Sequence, residues 1–214
     1  MTPHLSPAVR AVRVLAFSAG AVCVMLLSGC ASASPDSPAS PAFGDVRPAP
    51  PAAEVITQGT VLDTGGAAEL CLGAIAESYP PQCSGIPLSN WTWEGIDGYE
   101  SAGDVTWGAY AVQGTYDGSQ FTVSTPPIML ALYDPMMLDD PTGGRTGEGD
   151  EATLSRAFDE VATVMGEDFL SAYTENGWLW VDVVWDDGTW QDAVDAEYGE
   201  GVVIVRSAMR TTEA

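Results

Sequence analysis

The hydrophobic pattern changes character several times along the chain. Val14 to Leu27 is an apolar stretch without a charge. Residues 31–53 are dominated by Pro, Ala and Ser. A segment of that composition cannot bury enough apolar surface to offset the entropy of ordering it. It predicts a semi-extended linker, with Phe43 and Val46 as its candidates for a docking contact. From residue 54 to 133 the pattern becomes one of short runs rich in β-branched and aromatic residues, broken by Gly, Pro and Asp. That is the mark of a β domain. Residues 134–150 show little periodicity and read as an acidic linker. Beyond them, helical spacing alternates with fully apolar runs.

In the β region, residues 55–62 predict a strand and residues 63–66 a turn. Residues 69–76 return as a second strand, which Tyr79-Pro-Pro-Gln82 breaks. Residues 86–93 predict a third, short strand and residues 105–116 a long one. Asp117-Gly118 is a hairpin turn, because Gly adopts positive φ at little cost. Residues 120–125 come back, and Pro126-Pro127 ends the run. Thr57-Gln-Gly-Thr60 and Val112-Gln-Gly-Thr115 echo one another. A Gly inside a strand marks a bulge or a barrel corner. Five short strands with Gly bends predict a small OB-like antiparallel β-barrel, with an open sandwich or meander as the alternative.

In the last region Asp150 can cap a helix that begins at Glu151. Leu154, Phe158, Val161, Val164 and Met165 recur at helical spacing and Gly166 interrupts them. Residues 168–174 predict a further helical turn. Asn176-Gly177 turns the chain. Residues 178–185 are apolar on both faces except for Asp182, which suits a covered strand. Residues 189–198 predict a short helix, with Thr189 as a possible cap and Gly199 as its stop. Residues 202–205 predict a second buried strand. The unit over 151–210 is thus a small α-β-α-β layer, and the whole chain is α+β.

Arg10 and Arg13 precede the first apolar stretch, which is short of the roughly 20 residues a membrane span needs. The pattern is that of an export signal over residues 1–29. It ends in Leu27-Ser-Gly-Cys30, which resembles the lipobox of bacterial lipoproteins. The resemblance implies cleavage before Cys30 and a diacylglyceryl group on its sulfur. Each buried acyl CH₂ contributes roughly 0.8 kcal/mol, and two chains give stable anchoring. Cys30 with the tether over 30–53 therefore predicts a body held at the outer face of the cell membrane. Of the other cysteines, Cys23 leaves with the signal. Cys71 and Cys83 form an even pair in an exported protein, which predicts a disulfide. A bridge closing a loop of that size contributes on the order of 3 kcal/mol.

Composition removes whole classes of chemistry. The chain has 30 Asp and Glu against 7 basic residues, a net charge of −23 at pH 7. Every basic residue is Arg, and His4 is the sole His. A Ser-His-Asp triad, a zinc–imidazole site, a lysine Schiff base and a phosphate-loop lysine are all out of reach after the signal is removed. Nucleic acid needs a basic face, so no nucleic-acid partner is expected. Acidity of this degree attracts basic partners or cations and repels anionic wall polymers.

Three groups of residues are candidates for a function. Trp91 and Trp93 alternate and Trp107 follows. Together they suit either a sugar-stacking platform or a small core filled by Trp. Asp134, Asp139, Asp140, Glu148 and Asp150 carry oxygen ligands suited to Ca²⁺, but their spacing does not match an EF-hand loop. No metal site or cofactor is therefore expected. Asp182 is a charge within an apolar strand. It is either a desolvated general acid, a partner of Arg206 on the neighbouring strand, or a group facing solvent at an edge. No catalytic set emerges from these residues.

The stretches Glu69–Leu88, Trp107–Gly118 and Asp187–Val205 resemble segments of exported proteins from high-GC Gram-positive (actinobacterial) genomes, largely uncharacterised lipoproteins. The similarity covers most of residues 55–208. It implies an extracytoplasmic location and brings no catalytic residue. The expectation is a membrane-anchored, non-catalytic binding or accessory module of the cell envelope, with an envelope protein or glycan as partner. The alternatives are a carboxylate-dependent enzyme acting on glycans and a Ca²⁺-binding module.

Overall fold

The computed structural model describes residues 42–212. Cys30 and the predicted export signal lie outside them. In chain order the elements are β1 (Val55–Asp63), β2 (Ala68–Cys71), β3 (Ile86–Ser89), β4 (Tyr99–Ala102), β5 (Val105–Tyr116), β6 (Phe121–Val123) and β7 (Ile128–Met129). They continue with α1 (Glu151–Met165), β8 (Phe169–Glu175), β9 (Trp178–Val183), α2 (Thr189–Tyr198), β10 (Val203–Ser207) and β11 (Arg210–Thr211).

Five strands close on themselves in the order β1-β2-β3-β6-β5 and back to β1. The long partners β1 and β5 pair antiparallel from Val55↔Gly114 to Asp63↔Thr106. The closure corrects one expectation, since the barrel is mixed rather than wholly antiparallel. β3 runs parallel to β6, with Leu88 opposite Phe121. β4 and β7 add to β5, and β11 adds to the start of β1. Val61, Leu70, Tyr110, Val112 and Phe121 fill the interior, joined by Val184 and Met209 from the C-terminal region.

The two Gln-Gly-Thr echoes mark the barrel corners. Gly59 immediately precedes the point where β1 takes up β2, at Thr60↔Cys71. A Cβ on Gly59 would stand 2.6 Å from the Cys71 carbonyl oxygen. Gly114 is where β5 takes up β6, at Gly114↔Val123. A Cβ there would stand 2.0 Å from the Thr122 carbonyl oxygen. Strands cross too closely at both points for a side chain.

The C-terminal region is an α-β-β-α-β layer, which corrects the expected α-β-α-β. Gly166 at φ 60° ends α1. One 3₁₀ turn follows, and residues 169–175 then form β8 instead of more helix. The reason is the Asn176-Gly177 turn, at φ 51° and 78°, which folds β8 back onto β9. β9 pairs parallel with β10, and α2 makes the crossover. Asp150 caps α1 by accepting from the Thr153 amide at 2.7 Å. α2 is capped from further back than Thr189, because Asp186 accepts from the amides of Trp190 and Gln191.

The sheet buries Leu179, Val181, Val183 and Val203 against Ala157, Val161, Trp190 and Val194 of the two helices. Phe43 joins this core at 6% exposure, meeting the Trp190 and Tyr198 rings edge-on, each at 5.9 Å. Val46 packs beside it. The end of the Pro-rich segment is thus a strap laid on the fold. Both predicted docking residues make contact.

Candidate functional site

A groove of about 1030 Å³ opens on one side of the barrel. One wall is the barrel, through β2, β3 and the Asp117-Gly118 hairpin. The other wall is the turn after α1 together with the start of β8. Leu72, Ile86, Phe169 and Leu170 are among its apolar lining residues. The strap forms an end of it. Trp185 Nε1 donates to the Ala49 carbonyl at 2.9 Å, and the Ala49 amide donates to Asp187 Oδ2 at 3.1 Å. Arg47 lies over the Trp190 ring, 5.2 Å from its centroid.

Polar groups gather at one lip. Burial pushes the Asp168 carboxyl above the usual aspartate range, Arg47 draws it back, and Glu167 adds to the rise. The Tyr116 phenol is pushed up to about 12, by burial first and then by Asp168, Asp117 and Glu167. It is therefore a neutral donor at any physiological pH. The chemistry on offer is a neutral phenol, two neighbouring carboxylates and one guanidinium beside apolar side chains. These are the features of a site that orients a ligand through a few polar contacts.

The residues singled out from sequence fall in different places. Cys71 and Cys83 are joined in a disulfide, which ties the end of β2 to the residues before β3. Trp91 and Trp93 lie beyond β3, because Asn90 at φ 57° turns the chain. They meet edge-on at 5.2 Å, and each packs against Tyr110 at the barrel end. Trp93 Nε1 donates to Asp63 at 3.2 Å. Trp107 does not join them and packs edge-on against Tyr79 at 5.4 Å.

Asp182 is paired with Arg206, as one of its three readings had it, with a closest approach of 2.7 Å. In the acidic linker Asp139 contacts Arg210, Asp140 accepts from the amide and hydroxyl of Thr142, and Asp150 is spent on the helix cap. Among the described residues no three acidic, His or Cys side chains gather in a way that would hold a metal ion.

Sequence reasoning missed the groove, since its walls come from six separate stretches. Arg47 was the available signal. It is the one cation between Arg13 and Arg145, and it sits beside Phe43 and Val46 in an otherwise bland segment. No family model, curated protein or solved structure matches this chain.

Proposed function

We propose that this chain is a membrane-anchored extracytoplasmic lipoprotein that serves as a non-catalytic binding or accessory module of the cell envelope. The observation that carries the reading is the groove. Its lining mixes apolar side chains with Arg47, Glu167, Asp168 and Tyr116, and it offers no His, Lys or free thiol. The lipobox-like Leu27-Ser-Gly-Cys30 and the Cys71–Cys83 disulfide support export to an oxidising compartment.

We read the barrel as OB-like. The meander β1-β2-β3, the hairpin β5-β6 and the parallel β3–β6 pair support that reading. OB-folds bind ligands on the face of their second and third strands and in the adjoining loops. Here β2 and β3 supply Leu70 and Ile86 to the groove, and the β5–β6 hairpin supplies Gly118 and Ser119. The acidic surface favours a protein or glycan over a nucleic acid.

The test is crosslinking in cells from a photoreactive residue placed at Ser84 or Ser119. A recurrent envelope partner joined at both positions is the expected result. Adducts no different from those of a control position at Asp104, in the exposed turn between β4 and β5, would overturn the reading.

A further inference from the structure

The three-stranded sheet β10-β9-β8 has two edges, and the fold treats them differently. At β10 the Gln191 side chain takes the place of a neighbouring strand. Its Nε2 donates to the Val203 carbonyl at 3.0 Å, and its Oε1 accepts from the Val205 amide at 2.8 Å. One amide thus occupies both backbone groups, and that edge is closed. At β8 no described strand lies beyond the one side paired with β9. A bulge falls between Phe169 and Ser171, after which Ser171 to Glu175 pair in regular register with Asp182 to Trp178. An open edge of that length is a template for an added strand.

The surroundings of β8 suit such an addition. Thr174 forms a dent of about 430 Å³ together with Glu151, Leu154, Ser155 and Phe158 of α1. Phe158 is 46% exposed although it lies on an amphipathic helix. Tyr173, on the same strand, is 41% exposed. Two large apolar side chains thus flank an edge that no other strand covers among the described residues. Glu151 in the dent and Glu175 at the strand end have no ion-pair partner among the described residues.

We propose that β8 is a docking edge for an extended segment of a partner protein. The segment adds as a fourth strand, places an apolar side chain in the Leu154–Phe158 dent, and carries Lys or Arg where it meets Glu151 and Glu175. Main-chain bonds supply the affinity of strand addition, and the pockets for alternate side chains supply its specificity. The strong negative charge of the chain opposes a second copy of itself in this position. The proposal rests on the binding-module reading and adds a contact surface separate from the groove.

Hydrogen exchange on the full-length protein in detergent tests it. The probe is the acetylated, amidated peptide Arg-Val-Thr-Val-Thr-Val-Arg, compared with one twin carrying Pro at the centre and another carrying Glu at both ends. Exchange over residues 169–175 slows with the probe, does not slow with the Pro twin, and needs at least about tenfold more of the Glu-ended twin. Phe158→Ser weakens the probe by about tenfold and leaves exchange in α1 unchanged. Unchanged exchange over 169–175, or equal slowing by the Pro twin, overturns the proposal. So does sedimentation as a dimer with β8 already protected, because the occupant is then a second copy. A partner crosslinked at the groove with β8 unprotected removes this inference and keeps the binding module. Protected β8 with no crosslinked partner in cells overturns the binding-module reading and this inference with it.

Discussion

Arg206 reaches one oxygen of Asp182 with two of its nitrogens, Nε at 2.8 Å and Nη2 at 2.7 Å. The other oxygen accepts from Ser171 at 2.8 Å. The guanidinium also lies over the rings of Trp180 and Tyr173. Both side chains of the pair are mostly buried, at 12% and 15% exposure. Removing one partner therefore strands a charge in a poorly solvated place.

Asp182→Ala should destabilise the protein by about 2–3 kcal/mol, whereas replacing both members by Leu and Met should recover most of that loss. Urea unfolding of the two single variants and the double variant measures the coupling. Additive losses would show that the pair contributes nothing as a pair.

Phe43→Ala should cost about 3 kcal/mol, because it empties a site lined by Trp190 and Tyr198. The same change should free residues before β1 for proteolysis while the barrel survives. A variant that unfolds at the wild-type urea midpoint would mean that the strap is not part of the core.

Gly114→Ala should cost about 3 kcal/mol, since the new methyl meets the Thr122 carbonyl and something in β5 or β6 must move. Gly44→Ala is the control, because a Cβ there meets nothing within 4 Å. Equal melting temperatures for the two variants would remove the corner argument.

Stability should peak on the acid side of neutrality. Burial raises Asp186, Asp168 and Asp195 above the ordinary value of 3.8. Each takes up its proton at higher pH in the folded state than in the unfolded one. Their contribution is full below 3.8 and is lost as pH rises through the raised values. Asp117 and Asp150 are lowered chiefly by amide donors, and Asp140 and Asp187 chiefly by the hydroxyls of Thr142 and Thr189. Their contribution is present above 3.8 and is lost as pH falls through the lowered values. Melting temperature followed from pH 7.5 down to pH 3 should therefore rise and then fall, and Asp186→Asn should flatten the rise. A steady fall from neutrality would contradict the sign assigned to the buried aspartates.

Local signals were legible in the sequence wherever they agreed with the tertiary structure. β5 spans residues 105–116 and α2 spans 189–198, both as predicted, because strong turns or Gly stops bound them. The corner role of Gly59 and Gly114 was legible from their repeated context. β8 was misread because Phe169, Leu170, Ala172 and Tyr173 fit either period over so short a stretch, and only pairing with β9 decides between them. β4 escaped because Tyr99-Glu-Ser-Ala102 is an exposed edge with no hydrophobic alternation. The parallel β3–β6 contact and the groove join residues distant in sequence, and no local pattern encodes such pairings.

The burial of Phe43 sets the length of a leash. On the proposed Cys30 anchor, the tether would be counted to Phe43 rather than to the start of β1. At the roughly 3.1 Å per residue that an extended Pro-rich chain can span, such an anchor would hold the folded body within about 40 Å of the bilayer. On that proposal its search for partners would be confined to a thin layer and would be in effect two-dimensional. Weak individual contacts become sufficient there, because anchoring both molecules to one surface raises their effective concentration.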